Sequence, residues 1–165
     1  MILGLCAGIS SILASWTVIA LAFVGLGLGI RRLFGLKAIE TEGLLAAFWM
    51  GFALVILLLQ LWHFSFPVDA RALAAAFVAG GAGLLWNRGE LRRWRAGVRW
   101  REALPLVLTL VLAASWTANR AMGPPEEYDS GLYHIPVMQW SKLYPLVPGL
   151  ANLNDRFGFN NSHLL

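Results

Sequence analysis

Apolar residues fall in four blocks separated by short polar stretches, and within the blocks there is little amphipathic alternation. Residues 1–30 contain no Asp, Glu, Lys, Arg or His. A helix needs roughly 20 apolar residues to cross the hydrocarbon core of a bilayer, about 30 Å thick. Residues 43–62 form a second charge-free block of that size, and two shorter ones follow at 72–86 and 103–118. The pattern predicts four transmembrane helices. Pro67 and Pro105 lie near the starts of the shorter blocks, where a first helical turn tolerates a missing N–H. Arg71, Arg88, Glu102 and Arg120 flank them and can extend their charges toward headgroups.

Composition excludes the soluble alternative. The chain is 58% hydrophobic and only 13% charged, and helices that are apolar all round belong in a large core or a membrane. A chain of 165 residues cannot build a water-soluble core that shields four of them. A retained helix rather than a cleaved leader is expected at the start, because the first five residues carry no basic group and the apolar run is far longer than a signal peptide's.

Charge sets the expected orientation. The connection over residues 31–42 holds Arg31, Arg32 and Lys37, and that over 87–102 holds Arg88, Arg92, Arg93, Arg95, Arg99 and Arg101. Between the second and third blocks there is only Arg71. Lys and Arg favour the cytoplasmic side, so the two basic connections are expected inside, with the N-terminus and the tail outside. The Arg and Trp content of 87–102 superficially suits nucleic acid. Arginines between spans, interleaved with Trp94 and Trp100, are better read as topology determinants that contact anionic lipid. No nucleic-acid partner is expected.

Ala76, Gly80 and Gly83, with Ala79 nearby, give the third helix a small-residue face that lets helices approach closely in lipid. Gly25, Gly27 and Gly29 either do the same for the first helix or loosen its end. They are no dinucleotide fingerprint, lacking the strand and acidic partner. The single Cys6 allows neither an intrachain disulfide nor a cysteine-based metal site.

The chain thus divides into a four-helix transmembrane region, residues 1–118, and an outer tail, 119–165, where the polar chemistry gathers. Gly123-Pro124-Pro125 ends the fourth helix. Glu126, Glu127 and Asp129 follow as an acidic cluster, and Asp129 or Ser130 can cap a helix starting near Gly131. Tyr133, Val137, Trp140 and Tyr144 then fall on one face at helical spacing, which suits an amphipathic helix lying in the interface. Tyr144-Pro145 and Pro148-Gly149 end it, and an Asn-rich loop follows. Residues 162–165 read as the opening of a further helix.

The run Tyr128-Asp129 … Tyr133-His134 … Trp140 … Tyr144 … Val147-Pro148-Gly149-Leu150-Ala151-Asn152-Leu153 … Arg156 … Gly158-Phe159-Asn160-Asn161-Ser162 resembles the outer loop of a family of uncharacterised bacterial multi-pass membrane proteins. More distantly, it is similar to the first outer loop of C-type glycosyltransferases, integral membrane enzymes that use polyprenyl-phosphate-linked sugars. In those enzymes an acidic residue shortly after a span precedes an interfacial helix, with a proline-containing loop and a basic residue downstream. The resemblance implies that Asp129 takes the acidic position and Arg156 the basic one. It covers roughly the last quarter of the chain and departs from the enzymes in two ways: the loop follows the fourth span rather than the first, and their many further spans are missing. The resemblance therefore implies a bacterial inner-membrane protein of which this chain is an N-terminal part, completed by further spans or partner subunits.

Glycosyl transfer from a lipid phosphate requires a base for the acceptor hydroxyl and a cation for the leaving phosphate. Asp129 is the expected base; Arg156, with Arg120 or Lys142, is the expected phosphate contact; His134 is expected to orient the acceptor. No cofactor is expected, and a divalent metal has no ligand spacing to support it, because no second histidine accompanies His134. Structural roles stand beside each: Asp129 as a helix cap, His134 as an interfacial hydrogen-bonder, Asp155–Arg156 as a surface pair of little energetic value. His63 and Asp69 can reach the same surface. The alternative function is a transport or envelope-assembly component with the tail as a docking loop. Transport places ionisable groups inside spans, and here the span interiors hold no Asp, Glu, Lys, Arg or His, their polar residues including Ser10, Ser15, Thr109 and Thr117.

Overall fold

A computed structural model describes residues 2–36, 39, 41–124, 128–152 and 155. Six α-helices carry it: α1 (Ile2–Leu33), α2 (Thr41–His63), α3 (Ala70–Trp86), α4 (Arg88–Gly97), α5 (Trp100–Arg120) and α6 (Ile135–Leu143). A π-helical turn, Ser130–His134, leads into α6, and a short 3-10 turn, Leu150–Asn152, follows it. No strand occurs among the described residues. The all-helical expectation holds. Three helices, α1, α2 and α5, are long and apolar enough to cross a membrane, which marks the chain as a membrane protein. The fourth expected span, α3, is apolar but only 17 residues long.

Helix α1 is the spine. It is 32 residues long, about 48 Å at 1.5 Å per residue, and α2 and α3 both pack along it. Small residues set those contacts. A Cβ on Gly27 would run into the Ala47 backbone of α2, and one on Gly83 into the Gly25 backbone of α1. Without a hydrophobic force between helices in lipid, such close backbone approach supplies the dispersion contacts that hold them. Ala22, Leu28, Ala47 and Ala72 are buried there. Phe23 stacks tilted or edge-on with Phe48 and Phe52, its ring centroid 5.6 and 5.5 Å from theirs. The small-residue face read from α3 is thus its contact with α1, and Gly25 and Gly27 pack rather than loosen.

The same contacts fix direction. Gly27 meets Ala47 and Gly51 meets Phe23, so α2 runs antiparallel to α1. Gly80 meets Ala22 while Gly83 meets Gly25, so α3 runs parallel to it. Helix α5 touches α1 lightly and leaves most of its length exposed; beyond its end, Met122 packs against Gly8. The start of α1, the end of α2, the start of α3 and the end of α5 therefore share one end of the bundle with the tail.

Three local expectations are corrected. Residues 88–97, read as a connecting loop, form α4, because seven of their ten residues are strong helix formers and Asn87 caps the junction: its side-chain amide donates to the Gly83 carbonyl at 2.9 Å. Pro67 lies in the α2–α3 loop, ahead of the helix rather than in its first turn. Pro105 lies inside α5, beyond the first turn. Glu126, Glu127, Lys37, Arg156, the Asn160-Asn161-Ser162 run and the further helix read at 162–165 lie outside the described residues.

Candidate functional site

The tail is stitched to the α2–α3 loop by backbone hydrogen bonds. The Val68 amide donates to the Ser141 carbonyl at 2.7 Å, and the Leu146 amide donates to the His63 carbonyl at 2.8 Å. Ser141 is buried at this seam, 8% exposed. The chain turns back toward His63 because Tyr144 is extended (φ −131°, ψ 151°), the conformation that a following proline imposes. The loop is itself braced, with the Trp62 indole N–H donating to the Pro67 carbonyl at 3.0 Å. The His63 Nδ1 is buried beside the seam without a hydrogen-bond partner among the described residues. A buried polar atom of this kind is uncommon and costly.

Asp69 caps α3. Its carboxylate accepts from the Arg71 amide and from the Arg71 guanidinium, each at 2.9 Å. The hydrogen bond from the Arg71 amide, joined by the guanidinium, holds the carboxyl below the ordinary aspartate value against the opposing effect of desolvation.

Asp129 does no such work. Its backbone is helical (φ −64°, ψ −27°) and its side chain makes no capping bond, so the cap reading of this residue is overturned. Its carboxylate instead faces the Tyr133 hydroxyl one turn on, at 3.4 Å. Tyr133 in turn lies edge-on to His134, ring centroids 4.2 Å apart. The turn between them is wide: the Ile135 amide donates to the Ser130 carbonyl, five residues back. Pro136 explains it, since a proline lacks its own N–H and clashes with the carbonyl four residues earlier in a regular helix. Wide turns of this kind are frequent at functional sites.

Asp129 and His134 are half-buried, whereas Lys142 and Arg120 are exposed. The π turn thus groups Asp129, Tyr133 and His134. Lys142 sits eight residues beyond His134, about 12 Å along the helix, and Arg120 closes α5. Among the described residues no group of three or more His, Cys, Asp or Glu gathers that could hold a metal.

An apolar cleft of about 280 Å³ opens between α2 and α3 over α1. Val55, Leu59 and Trp62 form one wall and Ala72, Ala76 and Ala79 the other. Trp62, one residue before His63, lines the cleft at the end nearer the seam with the tail.

A family model described as Domain of unknown function (DUF8201) matches residues 10–165. The chain belongs to the DUF8201 family. No curated protein and no solved structure matches it. The DUF8201 match spans the α1–α3 bundle and the tail alike, so the seam joins two parts of one family unit rather than a domain and an appendage. Within that unit, sequence reasoning undervalued His63 and missed Ser141 and Tyr133 as site residues. The Asp-x-x-x-Tyr-His-x-Pro spacing over 129–136 is not itself a motif, but the proline after an Asp–Tyr pair one turn apart was a legible signal for the wide turn.

Proposed function

We propose that this DUF8201 chain is part of a glycosyltransferase-like membrane protein of the bacterial envelope, acting on lipid-linked sugars at the outer face of the cytoplasmic membrane. The observation that carries this reading is the Asp129 carboxylate, half-buried on the helical turn before the π turn and facing the Tyr133 hydroxyl at 3.4 Å. A half-buried carboxylate beside a hydroxyl is suited to take a proton from an acceptor hydroxyl. The apolar cleft supports the same reading, since its Trp62 end lies nearer the tail and it can seat the first isoprene units of a polyprenyl chain. In this reading α3 is the fourth span, shortened because its start is tied to the loop and tail. The tail helix lies in the interface with Trp140 and Tyr144 at headgroup depth. Arg156, Lys142 and Arg120 supply cations for the lipid phosphate, and His134 orients the acceptor. The arginine-rich end then faces the cytoplasm.

The test is binding of a polyprenyl phosphate and of its sugar conjugate to the reconstituted full-length protein, with Asp129→Asn and Arg156→Ala compared and insertion checked in parallel. Arg156→Ala is expected to lose at least tenfold in affinity for either lipid. Asp129→Asn is expected to abolish transfer while inserting normally. Full activity of Asp129→Asn sinks the assignment, and binding indifferent to both changes moves the tail to a docking role in envelope assembly.

A further inference from the structure

At the opposite end of the bundle from the tail, α4 is an amphipathic helix with an ordered distribution of charge. At about 100° per residue, Leu91 and Trp94, followed by Val98, share one side, and Arg88, Arg92 and Arg95 share a stripe within about 60° of one another. Leu91, Trp94 and Val98 are half-buried; the three arginines are exposed. The stripe stands roughly 90° around the axis from the apolar side, so when Leu91 and Trp94 point into hydrocarbon the guanidinium groups lie flat at phosphate depth. The remaining side carries Glu90 and Arg93, paired with each other at 3.3 Å. Arg99, beyond the helix, is likewise paired, with Glu102 at 3.0 Å. No described carboxylate pairs with Arg88, Arg92 or Arg95.

The neighbourhood is built to hold this helix in place. Asn87, 3% exposed, locks the α3–α4 junction through its bond to Gly83. Arg32 at the end of α1 donates to the Trp86 carbonyl at 2.6 Å, and its guanidinium lies over the Trp86 ring, 5.2 Å from the centroid. The arginine that could have joined the stripe from α1 is thus spent on fixing the end of α3, and the stripe keeps its own three charges for a ligand.

We propose that Arg88, Arg92 and Arg95 form a binding site for the phosphate headgroups of anionic phospholipid, with α4 lying in the interface as its platform. Guanidinium groups bind phosphate oxygens bidentately, a basic side beside an apolar one is the architecture of membrane-surface helices, and anionic lipid attracts such clusters. Three cations spaced along two turns, about 10 Å, match two adjacent phosphates better than one. The site is independent of the activity proposed for the tail.

The experiment is native mass spectrometry of the full chain purified in detergent and titrated with phosphatidylglycerol, cardiolipin or phosphatidylcholine. Wild type is expected to retain the anionic lipids over phosphatidylcholine, cardiolipin best. Substituting Arg88, Arg92 and Arg95 together by Gln, a comparably good helix former, is expected to lower anionic-lipid retention at least tenfold. A Glu90→Gln/Arg93→Gln chain, altered on the other side at unchanged net charge, is expected to retain them as wild type does. If the triple variant does not fold, each single Arg→Gln change is expected to cost about fivefold, the usual value of one basic residue at an anionic surface. Equal retention of phosphatidylglycerol and phosphatidylcholine by wild type, or unchanged retention by the folded variants, overturns the proposal. So does displacement of the lipid by millimolar inorganic phosphate, which would make the site one for a free anion.

Discussion

Helices α1, α2 and α3 on one side, and α5 on the other, solve the same problem in opposite ways. All are apolar, but the first three bring backbones together at glycines and alanines, while α5 meets α1 only along a narrow strip and at the Gly8–Met122 contact. Apolar character takes a helix into the membrane; in lipid it does not hold one helix against another, because the tails are as apolar as leucine. Small residues in the right register do that. Helix α5 carries Leu106, Leu110 and Leu112 outward, 63%, 59% and 71% exposed, and so is a membrane-facing helix with few commitments to this bundle.

This contrast is broken most severely at Gly27. Gly27→Val is expected to destabilise the α1–α2 pair by about 3 kcal/mol, the upper end for overpacking. Leu112→Ala on α5 is expected to change stability by no more than about 0.5 kcal/mol, as for a substitution away from packed features. Unfolding in mixed detergent micelles reads both, and equal effects would erase the distinction between the two regions. A smaller effect is expected at the seam. Leu146→Pro removes the amide that bonds the His63 carbonyl, at a cost of about 1–2 kcal/mol. The tail then lifts locally, and exchange of the Val68 amide accelerates about tenfold; unchanged protection there would mean that the tail is held by other contacts. The smallest effect is at the start of α3. The Asp69 carboxyl is held below its ordinary value, so it contributes stability above an unfolded value of about 4 and loses it as pH falls through the lowered folded value. Asp69→Asn keeps a capping side chain and removes only the charge. The variant is therefore expected to be slightly less stable than wild type at neutral pH and equal to it in acid, and a difference that persists below pH about 3 would count against the charge.

What the sequence made legible follows from the range of each interaction. The apolar blocks at 1–30 and 43–62 specify helices from local length alone, and α1 and α2 coincide with them. The small-residue face of α3 was legible too, because its spacing is a helical repeat. Helix α4 was hidden by its charge: six arginines between two apolar blocks resemble a connection, and only the Leu91–Trp94 spacing hints at a helix. The seam left no mark at all. It joins Val68 to Ser141 and His63 to Leu146 through main-chain groups, which every residue but proline carries equally. For that reason His63 was a marginal candidate in the sequence and lies against the tail in the fold, while Asp129, expected as a base with a helix cap as the structural alternative, makes no capping bond.

The wide turn at Ser130–His134 is also a matter of phase. Such a turn behaves as one residue added to a regular helix, and one residue is worth about 100° of rotation. Everything before it, Asp129 included, is therefore turned by about that angle relative to an uninterrupted continuation of α6. The azimuth of the carboxylate is thus set by the count of residues between Asp129 and Pro136 rather than by their identity. A lineage that loses one residue there but keeps the wide turn that Pro136 imposes retains its aspartate and its helix, yet presents the acid on a different side of that helix.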